Sequence, residues 1–296
     1  MKFAYYPGCS LEKNSAAYDV SVRAVADVLG IELAEIDDWN CCGATEFFSQ
    51  HELVACSVVA RNLALVDGQL RQVVAPCAAC YCNLKKVDQL MAEHPHMNRL
   101  INEALAAGGL EYQPGRLRVR HLLEVIVDDI GEAAVRDKAV RSLEGLRVAP
   151  YYGCQWVRPG ADVDNPEYPM KMDLLFKWLG AEVVDYPVKA HCCGGHMTQI
   201  SEGQAFELIR RLLQNAVDYE ADLILCMCPM CQLNLDGYQH RVNHFFGTSF
   251  NVPIVFFTQL LGVAFGLDPA RLGFGKELVP AMPVLQDKLG AAPATA

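Results

Sequence analysis

Apolar residues recur along this chain in two rhythms. Short unbroken runs such as Phe3-Ala4-Tyr5-Tyr6, Val73-Val74-Ala75 and Ile224-Leu225-Cys226 stop at Pro, Gly or Cys, which predicts buried β-strands that meet turns. Between them the spacing becomes helical. Ala16 to Leu29 predicts a helix that ends where Gly30 permits the chain to turn. Leu53, Cys56, Ala60 and Leu63 share one helical face, and around Glu207–Leu213 so do Phe206, Ile209 and Leu213. Residues 242–267 contain no Asp, Glu, Lys or Arg. Asn243, His244, Asn251, Pro253 and Gln259 interrupt the segment, so it predicts a buried strand followed by a helix rather than a membrane span.

The same order of elements occurs twice. Leu29-Gly30-Ile31-Glu32-Leu33 resembles Leu179-Gly180-Ala181-Glu182-Val183, and Leu117 to Leu123 has a counterpart in Val252 to Phe257. Alternating strand, loop and helix predicts an α/β fold with two pseudo-symmetric Rossmann-like halves, largely parallel sheets and flanking helices. The halves are expected at residues 1–145 and 146–296, with the boundary around Arg141-Ser142-Leu143-Glu144-Gly145. The first half is longer over 83–116, where Met91 to Gly109 predicts an added helix and loop, and the small-residue tail Gly290 to Ala296 is expected to fray.

The repeat is clearest in cysteine. Cys9, Cys41-Cys42-Gly43 and Cys77-x2-Cys80 recur as Cys154, Cys192-Cys193-Gly194 and Cys228-x2-Cys231, with 34 residues between Cys42 and Cys77 and again between Cys193 and Cys228. Ten of the 13 cysteines fall into this scheme, which points to two soft-ligand sites. Cys56 lies on an apolar helix face and Cys226 ends an apolar strand, so both are expected in the core, and Cys82 has no cysteine counterpart at position 233. The expected sites lie where strands end and loops begin, the edge at which an open parallel sheet gathers ligands.

Size and charge narrow the alternatives. A chain of 296 residues that is 52% hydrophobic buries a large core without disulfides, and 13 is an odd count, so an exported disulfide scaffold does not fit. The N-terminal apolar run is too short for a signal peptide, and a cytoplasmic location is expected. A net charge of −10 argues against a nucleic-acid partner.

Tetrahedral zinc takes four ligands, two of them commonly from a Cys-x2-Cys element, and stays an alternative if one thiol per group is free. Adjacent cysteines leave the backbone in different directions, which is awkward for one ion but workable for a multinuclear iron–sulfur group. Thiol redox chemistry is a third possibility. Gly43 and Gly194 let the backbone approach such a site in dihedrals other residues avoid. His191 and His196 flank the second Cys-Cys-Gly and could reach it, Asn40 stands where His191 does in the other half, and Lys189 is expected at the surface.

These motifs, with Tyr-Tyr-Pro-Gly-Cys at 5–9 and Asp-Asp-Trp-Asn-Cys-Cys-Gly-Ala at 37–44, resemble the cysteine-rich CCG domain family, specifically the B subunit of heterodisulfide reductases and its bacterial relatives. The resemblance covers both halves. It implies cluster-binding loops and two noncubane [4Fe–4S] clusters, one held by Cys9, Cys41, Cys42, Cys77 and Cys80, the other by Cys154, Cys192, Cys193, Cys228 and Cys231. It further implies a catalytic subunit that transfers electrons to or from a disulfide or related sulfur substrate. Its expected partners are a C subunit with ferredoxin-type clusters and an A subunit carrying flavin. The chain itself contains neither a Gly-x-Gly-x-x-Gly fingerprint nor a Cys-x2-Cys-x2-Cys-x3-Cys-Pro run. An electron-transfer subunit without a disulfide substrate of its own, and a structural zinc protein, are the alternatives.

Overall fold

The computed structural model describes residues 1–44, 47–158 and 163–290. The first half forms strands β1 (Lys2–Tyr5), β2 (Glu32–Glu35), β3 (Gln72–Ala75) and β4 (Arg118–His121), and the second forms β5 (Arg147–Tyr151), β6 (Glu182–Val183), β7 (Leu223–Cys226) and β8 (Ile254–Phe256). Each set makes one sheet in the same order, β2-β1-β3-β4 and β6-β5-β7-β8, and every pairing is parallel. Parallel neighbours need crossover connections, and the intervening helices supply them. This is the α/β architecture with two similar halves that the alternating pattern predicts. The central strands are apolar at successive positions because both of their faces are covered: β7, Leu-Ile-Leu-Cys, is buried at all four residues.

The helix expected over 16–29 runs from Ala16 to Val28 and buries Ala17, Tyr18, Ser21, Val22, Val25 and Ala26. Glu52–Ala64 buries Cys56, Ala60 and Leu63 as their spacing predicts, whereas Leu53 is exposed. Leu53 falls in the first turn of that helix, before the helix reaches the core, so periodicity alone misplaces it. Glu202–Asp218 buries Phe206, Ile209 and Leu213. The interval 83–116 adds no helix: Ala78–Glu93 and Pro95–Ala106 have counterparts in Pro229–Gly237 and Gln239–Phe246 and are longer than them, and the charge-free stretch includes β8 followed by the buried helix Phe257–Ala264. Among the described residues no helix is long and apolar enough to cross a membrane. The tail after Gly290 lies outside the described residues.

One contiguous hydrophobic cluster runs through both sheets. The helix Ala16–Val28 packs against Phe257–Ala264 of the other half, where the buried hydroxyls of Ser21 and Thr258 hydrogen-bond at 2.7 Å. The Tyr18 ring stacks on Phe256 with centroids 4.1 Å apart. The two repeats therefore share a core, and their strand ends face a common region.

Candidate metal centres

Cys9 follows β1 as the first residue of the short helix Cys9–Glu12. Cys77 and Cys228 follow β3 and β7 as N-caps of the helices Ala78–Glu93 and Pro229–Gly237, with Cys80 and Cys231 in the first turns. All five therefore sit beyond the C-terminal ends of parallel strands, and the positive ends of two helices favour thiolate over thiol. The sulfurs approach one another in pairs. Cys9 Sγ lies 3.3 Å from Cys41 Sγ, Cys42 Sγ lies 3.6 Å from Cys80 Sγ, and Cys193 Sγ lies 3.6 Å from Cys231 Sγ.

The close approach depends on glycine in front of each first cysteine. A Cβ on Gly8 would stand 2.8 Å from Cys80 Sγ, and one on Gly153 would stand 3.1 Å from Cys231 Sγ; both residues have positive φ, 77° and 69°. Gly43 and Gly194 likewise adopt φ of 74° and 93°, as expected for the turns after the paired cysteines.

Polar side chains outside the cysteine pattern hold these loops. Asn83 donates to the carbonyls of Cys42 (3.2 Å) and Ala44 (3.3 Å) and lies 3.6 Å from Cys42 Sγ. Asn234 repeats the arrangement with Cys193 O (3.1 Å), Gly195 O (2.8 Å) and Cys193 Sγ (3.5 Å). The Tyr6 hydroxyl donates to Asn40 O and that of Tyr151 to His191 O, both at 2.7 Å. Sequence reasoning missed all four. The asparagine signal was present as Cys-x2-Cys-x2-Asn in both halves, and both tyrosines stand three residues before the first cysteine.

Electrostatics divide the thiols consistently. Hydrogen bonds from Cys42 and Cys9 hold Cys41 down at about 2, and those from Cys154 and Cys193 do the same for Cys192, where the Gly194 amide also donates at 3.3 Å. Their donors move the other way. Cys9 and Cys154 rise, Cys42 is pushed up to about 11 and Cys193 to about 12. Cys77 and Cys228, one from each half, influence each other, which pushes the Cys77 thiol up and helps hold Cys228 down. Each half thus sets one thiol shifted downward beside neighbours shifted upward, and metal binding would displace the protons of all of them.

A cleft opens on the second group of cysteines, and the first half contributes Ala44, Ala78 and Ala79 to it but none of its own five cysteines. Ala78 and Ala79 of the first Cys-x2-Cys form one wall; Cys154, Cys193, Met230 and His196 line the other. Arg158 lies close enough for its charge to act on Cys154 and Cys192. His196 faces this space, but His191 is exposed and contributes its carbonyl to Tyr151. Lys189, expected in solvent, is wholly buried and pairs with Asp173 at 2.8 Å. Its partner is 16 residues away in sequence, and its carbonyl receives the Tyr152 and Gly153 amides just before Cys154. Cys56, Cys82 and Cys226 are buried, and none of the three makes a sulfur–sulfur contact with these groups.

Fold and site together define a duplicated cysteine-rich α/β protein in which each half brings cysteines together beyond the C-terminal ends of its parallel strands. The cysteine-rich CCG domain matches residues 3–85 and 148–236, a motif in each half. The chain is 32% identical, over 95% of its length and 98% of the relative's, to an 8-methylmenaquinol:fumarate reductase membrane anchor subunit of Wolinella succinogenes. It is 29% identical to a protein of Archaeoglobus profundus that is like the B subunit of heterodisulfide reductase (92% and 93% covered). The B subunit of a ferredoxin:CoB-CoM heterodisulfide reductase of Methanosarcina mazei is 28% identical (94% of each). The chain belongs to the family of duplicated CCG proteins that contains the heterodisulfide reductase B subunits. A hypothetical protein from Helicobacter pylori shares the fold with a TM-score of 0.75 at 13% identity; the match spans 95% of this chain and 52% of that one.

Proposed function

We propose that the chain is the catalytic subunit of a heterodisulfide reductase-like complex, moving electrons to or from a disulfide or related sulfur compound at two noncubane [4Fe–4S] clusters. The five-cysteine pattern repeated in both halves, with a cleft open on the second set, carries the reading. Cys9, Cys41, Cys42, Cys77 and Cys80 would hold one cluster, and Cys154, Cys192, Cys193, Cys228 and Cys231 the other. The donor set fits: all ligands are soft sulfur, and glycine keeps Cβ atoms away from Cys80 and Cys231. The adjacent cysteines Cys41-Cys42 and Cys192-Cys193 leave the backbone in different directions, which suits a multinuclear group better than a single zinc ion. Such a group supplies iron able to exchange single electrons.

The chain's own residues shape the remainder. Opening a disulfide consumes two electrons and two protons and yields two thiols. The space between Ala78-Ala79 and Cys154 would place the sulfur–sulfur bond against the second centre, with His196 as an imidazole beside it. A cytoplasmic complex in which a C subunit with ferredoxin-type clusters and a flavin-containing A subunit relay the electrons completes the reading. The Wolinella relative, by its name a membrane anchor subunit, supports the second reading of an electron-transfer subunit for another reductase.

Anaerobic purification tests the proposal. Two four-iron groups give about eight iron and eight acid-labile sulfide per chain, and adding a disulfide to the reduced protein changes its spectrum. Stoichiometric zinc without labile sulfide refutes the cluster assignment. Full iron with no response to any disulfide refutes the catalytic role and leaves electron transfer.

A further inference from the structure

Where the halves meet, two residues outside every cysteine motif bridge both of them. The Tyr18 hydroxyl donates to Pro76 O at 2.7 Å and stands 3.4 Å from Met227 O. Pro76 and Met227 immediately precede Cys77 and Cys228. His121, at the end of β4, is wholly buried. Its Nδ1 accepts from the Leu123 amide at 3.1 Å, so in the neutral ring the proton sits on Nε2. That Nε2 has no partner in hydrogen-bonding geometry, and the backbone carbonyls acting on it are again those of Pro76 and Met227. The Ala78 amide closes the junction by donating to Met227 O at 3.4 Å.

The packing around the pair is reciprocal. His121 stands opposite Ala75 in the first sheet, as Phe256 stands opposite Cys226 in the second. Tyr18 of the first half stacks on Phe256, while Trp156 of the second packs edge-on against His121 with centroids 5.1 Å apart. Each repeat thus lends an aromatic ring to the other's strand end. Only one of the two strand ends carries an N–H donor, and the backbone carbonyls that act on that ring are those beside Cys77 and Cys228. Burying an imidazole N–H without using it is costly, and these carbonyls are what it can serve.

We propose that His121 and Tyr18 are positioning residues that tie the two Cys-x2-Cys turns together through the Pro76 and Met227 carbonyls, so that Cys77 and Cys228, next to those carbonyls, make the two centres one electron-sharing unit. The electron-sharing rests on the proposed iron–sulfur reading; the tie itself does not. The two turns belong to different sheets, and beside this tie the Ala78 amide also crosses between them.

The test compares the anaerobic, iron-loaded parent with His121→Phe, His121→Gln, Tyr18→Phe and the His121→Phe/Tyr18→Phe double variant. Phe keeps the ring, as at position 256, and Gln restores a side-chain N–H. Iron and labile sulfide are assayed, and the reduction of each centre is followed by electron paramagnetic resonance during a redox titration. In the parent, reducing one centre broadens or splits the signal of the other. The double variant keeps its iron and loses that interaction, and His121→Gln retains it. An unchanged interaction in the double variant, or one lost only in proportion to iron, overturns the proposal. If the parent holds no iron, the redox reading fails and the tie is tested alone. Diamide removes two thiol hydrogens to form a disulfide, being reduced to the hydrazine, and peptide mapping locates the bond. A Cys77–Cys228 link in the parent that gives way to Cys77–Cys80 and Cys228–Cys231 links in the double variant supports the tie; equal yields in both overturn it.

Discussion

Lys189→Met is the sharpest test of how the second centre is supported. The Lys189 ammonium is removed from water entirely, lies 2.8 Å from Asp173 Oδ1 and sits 3.7 Å above the Tyr168 ring. Asp173 also accepts from the Tyr152 hydroxyl at 2.6 Å, and burial pushes its carboxyl upward while these donors pull it down. Taking away the lysine leaves a carboxylate in a low-dielectric site with one donor fewer, which costs about 3–5 kcal/mol. Replacing both partners with apolar residues leaves no stranded charge, so Lys189→Met/Asp173→Leu regains about 1–4 kcal/mol of that loss. Because the Lys189 carbonyl holds the Tyr152 and Gly153 amides at 2.9 and 3.0 Å, the single variant also loosens the turn that presents Cys154. Denaturant unfolding and iron content measure the two effects: the single variant loses stability and iron bound by the second centre, and the first centre is spared. A loss below about 1 kcal/mol, the range of exposed ion pairs, or a double variant no better than the single, refutes the reasoning.

Three further outcomes follow from the same geometry. Asn234→Ala strands the carbonyls of Cys193 and Gly195 and costs about 1–3 kcal/mol, seen as a lower denaturation midpoint and faster iron loss from the second centre; an unchanged midpoint and loss rate refute the role. Gly8→Ala places a methyl 2.8 Å from Cys80 Sγ at φ 77°, so the protein retains iron at the second centre only, and full iron content refutes the steric argument. Burial holds His121 down at about 3, below its unfolded value of about 6.5, so the unfolded chain takes up the proton first as pH falls. Its contribution is complete above the unfolded value and declines toward the folded one, a loss of about 2 kcal/mol between pH 8 and pH 5 that His121→Phe removes; an identical pH slope in the variant contradicts this.

The doubled fold was legible because parallel strands buried on both faces produce uninterrupted apolar runs, and the cysteine spacing marked where those strands end. Leu53 shows the limit of helical periodicity, which assigns a face but not the turn at which a helix meets the core. Lys189 was misread because its burial depends on Asp173, a partner brought close only by the fold. Asn83 and Asn234 repeated at a fixed offset from Cys80 and Cys231, yet an asparagine in a helix carries no chemistry of its own until the carbonyls it serves are placed. His121 had no motif at all, since its meaning lies in two backbone atoms from different sheets.

Duplication within one chain has a consequence for the cleft. Two identical protomers would give it matching walls, and any change made to one would be copied in the other. Here Ala78 and Ala79 line the cleft from one half and Met230 from the other, although all three lie inside corresponding Cys-x2-Cys elements, so the two walls differ. A molecule lying across the cleft meets a small, smooth side and a bulky thioether side. Its two ends are told apart, and an unsymmetrical guest has one preferred way round.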